Sequence, residues 1–153
     1  MKLADGVIHF FHKQSFLIVT TIDDKGRPHA SCKGLIDIDK DGKLYLLDLY
    51  RERTHDNLEH SKQISVTAVD EHRFRGYCLK GTAQKLRQRG LSPNIVRAWN
   101  KRITGRITQR IVKNVQGQKG HSRHPEILLP EPKYIIAVDV KEVVNLTPHM
   151  LKE

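Results

Sequence analysis

Apolar and polar positions alternate in pairs along much of this chain, and the runs stop at short turns rich in Asp and Gly. Residues 16–22 (FLIVTTI) are β-branched and end at Asp23-Asp24-Lys25-Gly26, a turn signature. Residues 27–38 extend again, with Leu35, Ile36 and Ile38 blurring the alternation. Gly34 inside that run marks a bulge or a close approach to the backbone. A second turn, Asp39-Lys40-Asp41-Gly42, leads into residues 44–50. Three strands on two short turns predict an antiparallel meander. Residues 64–69 (ISVTAV) alternate cleanly and predict a fourth strand with one buried face, residues 75–86 a fifth bent at Gly81, and residues 134–140 a sixth, extended by Val143-Val144.

Helical spacing interrupts this pattern three times. Residues 4–14 place Val7, Ile8, Phe10 and Phe11 on one side of a short amphipathic helix, weakened by Gly6. Thr54 is expected to cap a helix that ends near His60 or Ser61, with Asp56 in its first turn. Ser92-Pro93 opens a longer one. Its apolar residues Ile95, Val96, Trp99, Ile103, Ile107, Ile111, Val112 and Val115 recur mostly in steps of four, so the stripe drifts around the cylinder. A straight helix cannot bury all of that stripe, and the expectation is a bend near Gly105 or two shorter helices. Residues 116–132, with two Gly and three Pro, predict a long loop.

Six antiparallel strands with bending glycines and helical insertions predict a mainly β fold, a small closed or half-open barrel. The 153 residues are expected to form one domain, 1–153, with a basic helical insertion at about 91–116.

Charge sharpens the picture once it is located. The net charge is +10, and the segment 87–123 holds ten Lys and Arg with no Asp or Glu. The rest of the chain balances to zero, so only that segment requires an anionic explanation. No apolar run is long enough to cross a bilayer, the N-terminus does not resemble a secretion signal, and two cysteines are too few for a disulfide framework. The expectation is a cytoplasmic protein. His9 and His12 share a helix face without a matching partner nearby, so no metal site is expected.

Candidate chemistry concentrates between residues 27 and 58. Two extended segments run into Arg51-Glu52-Arg53 and a helix start at Thr54. Strand backbone groups suit the rim of a flat heterocycle, while free helix N–H groups and arginines suit a phosphate.

The ordered series FLIVTTIDDKGRPHASCKG, KLYLLDLY, THDNL, ISVTAV and GYCLKGTA resembles the pyridoxamine 5'-phosphate oxidase-like, flavin-binding split-barrel family, over residues 16–86 and again, weakly, over 132–148. It is most similar to the small flavin-nucleotide-binding members with a Thr-x-x-Asn-Leu signature, here Thr54, Asn57 and Leu58. The resemblance implies a six-stranded antiparallel split barrel with FMN at a homodimer interface. It implies Ser31, Cys32 and Lys33 along the flavin ring, and Leu47 and Asp48 lining the same site. Arg53, Thr54 and Asn57 would gather the phosphate and ribityl end. Some relatives carry Lys where Thr54 stands, which shifts the phosphate load to Arg53 or Arg51, and Asp48 stands where several carry a small hydroxyl residue.

Lys33 suits the electron-rich edge of a reduced flavin or an anionic substrate; the alternative is a side chain that snorkels to solvent. Cys32 reads as a packing residue rather than a redox thiol. Three function classes stay open. The first is an FMN-dependent oxidoreductase of a small, anionic substrate, with NAD(P)H as a candidate donor. No GxGxxG fingerprint is present, so a nicotinamide would meet the flavin directly, and His121 and His124 in the long loop are available proton donors. The second is a flavin carrier or sensor without turnover. The third is nucleic-acid binding through residues 87–123, disfavoured because Trp99 is the only aromatic there. Related barrels that use a deazaflavin or haem are minor alternatives.

Overall fold

The computed structural model describes residues 1–48, 52–87, 92–118 and 134–151. Six strands close into an antiparallel barrel: β1 (Leu17–Ile22), β2 (Pro28–Ile38), β3 (Lys43–Leu47), β4 (Gln63–Asp70), β5 (Arg75–Arg87) and β6 (Tyr134–Asn145). Their order around the barrel is β1-β2-β3-β6-β5-β4, and β4 returns to β1. The six-stranded antiparallel barrel read from the alternation is therefore the fold. Residues 49–50 of the expected third strand, Arg51, and residues 119–132 of the long loop with His121 and His124 lie outside the described residues.

Period-two burial builds the core. On β1, Leu17 and Val19 are fully buried while Ile18 between them is exposed. Ile64, Val66 and Ala68 of β4 face the same interior. Helix α1 (Asp5–His12) closes it by inserting Phe11, with Val7 buried beside it. Its partly buried Phe10 packs edge-on against Tyr77, 5.1 Å between centroids.

Two glycines bend the sheet as expected. The β2–β3 register shifts between Leu35 and Asp37, one residue beyond Gly34, and the β5–β6 register shifts between Lys80 and Gly81. A Cβ at Gly81 would collide with the carbonyl oxygen of Asp139, so only Gly lets β6 approach there.

Two helix expectations need correction. Helix α2 spans Arg53–His60, and its N-cap is Glu52, without a side-chain cap bond, so Thr54 is not the cap. Thr54 sits one position into the helix and is buried, because its hydroxyl finds a partner on β2 instead. Helix α3 is one continuous element, Pro93–Val115, and does not break at Gly105. The drifting stripe is resolved by exposure instead. Ile95 is buried against Ile36, Leu47 and Ile135 on the outer face of the barrel, whereas Val96, Ile111, Val112 and Val115 are exposed.

Candidate functional site

Register decides which residues of β2 face the interior. Cross-strand partners share a face, and Ser31 pairs with Val19 and Lys33 with Leu17, both buried on β1. Cys32 pairs with exposed Ile18 and points outward, exposed and unpaired.

Inside, polar groups meet in separate pairs. Lys33 Nζ donates to Asp48 Oδ1 at 2.6 Å, and the Tyr134 hydroxyl donates to Asp48 Oδ2 at 2.5 Å. Asp48 is 1% and Tyr134 4% exposed, so this carboxylate is enclosed and doubly satisfied. Ser31 Oγ lies 2.9 Å from Thr54 Oγ1, tying β2 to the first turn of α2. Asn57 Nδ2 donates to Thr21 Oγ1 at 3.0 Å, tying the same helix to β1.

A second cluster borders the first. The His55 ring meets Tyr134 edge-on, 5.3 Å between centroids. Lys85 Nζ donates to His55 Nε2 at 3.2 Å and pairs with Glu59. If Nε2 accepts, the ring proton sits on Nδ1 and is donated to Asp56 Oδ1, 3.2 Å away. Lys85 and Glu59 cancel each other's charge. Arg53, exposed in the first turn of α2, makes no ion pair among the described residues.

Of the eight residues nominated from sequence, the structure gathers Ser31, Thr54 and Asn57 where β2 and β1 meet α2, with Arg53 at the helix start. It locks Lys33 and Asp48 to each other. Leu47 is buried under α3 with Ile36 and Ile95, and Cys32 is on the outward face. Sequence reading missed Thr21, Tyr134 and Lys85. Tyr134 alone carried a signal, a polar aromatic opening a buried strand.

The gathered set fits a ribityl phosphate chemically. One hydrogen bond between two hydroxyls uses one proton, so the Ser31–Thr54 pair keeps a second to donate. The Thr21 hydroxyl accepts from Asn57 and likewise keeps its own proton. Arg53 supplies the positive charge, and the uncapped first turn of α2 adds free N–H groups.

A β barrel with a polar patch at one helix entry defines a small split-barrel protein. The chain belongs to the pyridoxamine 5'-phosphate oxidase family, whose sequence profile matches residues 4–143. No curated protein matches it. Among solved structures it is similar to HupZ of Group A Streptococcus, with TM-score 0.63, 21% identity, and coverage of 95% of this chain and 94% of that one. It is also similar to a protein related to general stress protein 26, of the pyridoxinephosphate oxidase family, from Clostridium acetobutylicum (TM-score 0.60, 16% identity, coverage 92% and 84%). A third is HutZ, the heme storage protein of Vibrio cholerae (TM-score 0.53, 18% identity, coverage 94% and 94%). At these identities the likeness is one of fold. Among the described residues no helix is long and apolar enough to cross a membrane, and no cluster of three metal-ligating side chains occurs.

Proposed function

We propose that this protein is a cytoplasmic, homodimeric FMN-binding oxidoreductase acting on a small anionic substrate. The observation that carries the reading is the Ser31–Thr54 hydroxyl pair at 2.9 Å, placed beside Arg53 and the free N–H groups of α2. Ser31, Thr54 and Asn57 would hold the ribityl chain, and Arg53 the phosphate. Cys32 and Ile18 offer an outward strand surface, exposed in the single chain, against which a ring covered by a second copy can lie. Bound FMN supplies hydride and single-electron chemistry; the chain's part is to bind, orient and exclude water. Lys33, held by Asp48, places its ammonium on the inner face of β2, behind that surface.

Titration of FMN followed by flavin fluorescence tests the reading. Arg53→Ala and Thr54→Ala are each expected to weaken binding about tenfold, the worth of one charge-assisted hydrogen bond. Anaerobic addition of NADH or NADPH then bleaches the bound flavin if a nicotinamide is the donor. Because one similar structure is a heme storage protein, hemin is the control ligand. Hemin binding with no FMN binding overturns the proposal.

A further inference from the structure

The basic charge of α3 is not a solvated stripe, because two of its arginines turn inward. α3 crosses the outer side of β2 and encloses a cleft of about 370 Å³ against the turn between α1 and β1. Lys13, Lys101, Arg102 and Arg106 line it, with Asp37 as the carboxylate among the lining residues. Asp37 is itself engaged, 3.8 Å from His12 Nε2. The cleft lies on the face of β2 opposite Lys33. The guanidinium of Arg106 stands over Gly34, its Nη2 3.7 Å from where a Cβ would be, and Gly34 follows Lys33 with reversed orientation.

Both guanidiniums are held in place before any ligand arrives. Arg102 donates Nε to the Leu35 carbonyl and Nη1 to the His12 carbonyl at 3.5 Å. Arg106 donates Nη2 to the Ser15 carbonyl, and its guanidinium carbon lies 5.1 Å from the Phe16 ring centroid. Arg102 Nη2 is enclosed and has no hydrogen-bond partner. A buried guanidinium donor left unmade is costly, and a second guanidinium alongside raises that cost by repulsion. The Arg102 side chain accordingly holds its proton less firmly than an ordinary arginine, through burial first and the charge of Arg106 second, with Asp37 opposing. A neutral acceptor would satisfy the unmade hydrogen bond but not the repulsion; an anion with more than one charge answers both.

We propose that this cleft binds a small anion bearing a phosphate or diphosphate group, with Arg102 and Arg106 as its charged floor and the exposed Lys13 and Lys101 as its rim. Among the described lining residues four cations accompany one carboxylate, which matches a multiply charged oxyanion rather than a monocarboxylate. The volume stands near the lower end of small-molecule sites, roughly 300–1,000 Å³. The site uses none of the residues assigned to the flavin's ribityl phosphate, although it shares the outward face of β2 with Cys32.

Isothermal titration of the full chain with sodium pyrophosphate at low ionic strength tests it, where screening is weakest. One-to-one binding is expected, with Lys101→Glu and Lys13→Glu each weakening it about tenfold or more. Lys113→Glu, the same charge change on α3 outside the cleft, and Arg53→Ala, at the flavin patch, are expected to leave affinity unchanged. Absence of binding at about 10 mM, enough to saturate even a millimolar site, overturns the proposal. So does equal weakening by Lys113→Glu, loss of binding in Arg53→Ala, or tighter binding of citrate than of pyrophosphate.

Discussion

Lys33 Nζ and Asp48 Oδ1 lie 2.6 Å apart across the start of the β2–β3 hairpin's open end, with side chains 12% and 1% exposed. Neither charge reaches solvent freely, so each is the other's condition for being there. The Tyr134 hydroxyl on the second carboxylate oxygen completes the set. The Asp48 carboxylate is thereby neutralised inside the protein.

Removing one member leaves the other buried and unpaired. Asp48→Ala is expected to cost about 3–5 kcal/mol, whereas the double change Lys33→Met with Asp48→Leu costs far less. Urea unfolding midpoints at unchanged m-value measure both. A double variant as unstable as the single one would refute the pairing argument.

Gly81 and Gly105 are expected to respond to alanine with opposite signs. At Gly81 the new methyl meets the Asp139 carbonyl, and overpacking costs about 1–3 kcal/mol or more. At Gly105, inside α3, nothing lies within 4 Å of the added carbon, and the substitution stabilises by up to about 1 kcal/mol. Thermal melts of the two variants against the parent check this.

Asp139 gives a pH signature. The Lys141 ammonium hydrogen-bonds its carboxylate first and Lys43, at 3.1 Å across the β3–β6 ladder, second, bringing its pKa from 3.8 down to about 2. Its native pKa lies below the unfolded one. The stability it contributes is therefore complete above pH 3.8 and is lost as pH falls toward 2. Carbon-detected NMR titration of the carboxyl should show this value, and Lys141→Ala should raise it.

The two ends of α3 should differ sharply. Ile95 is buried in the outer cluster and Val115 is 83% exposed. Ile95→Ala is expected to cost about 2 kcal/mol or more, and Val115→Ser less than about 0.5 kcal/mol. Comparable losses at both positions would mean that something covers the far end.

Strand number, meander, bulge positions and the helix after the third strand were legible because each is a local property. Alternation, β-branching and Asp/Gly turns act within a few residues, and Gly34 and Gly81 advertised the sheet's irregularities. The start of α2 was read two residues late, since Thr54 is a good capping residue whose hydroxyl is taken by Ser31 on a distant strand. The fate of α3 was misread for a similar reason. Its drifting stripe showed that a straight helix would leave part of it uncovered, but not whether the helix would bend or the residues would stay exposed.

The chain's own pattern thus determined six strands and their antiparallel order through the first hairpins. Tertiary structure alone decided that Lys33 meets Asp48, that Asp48 meets Tyr134 86 positions later, and that Arg102 and Arg106 turn inward to the carbonyls of Leu35 and Ser15. Periodicity carries information about which face a residue occupies. Which residues then touch depends on the register with which the barrel closes, a sum over every strand pair that no local stretch contains.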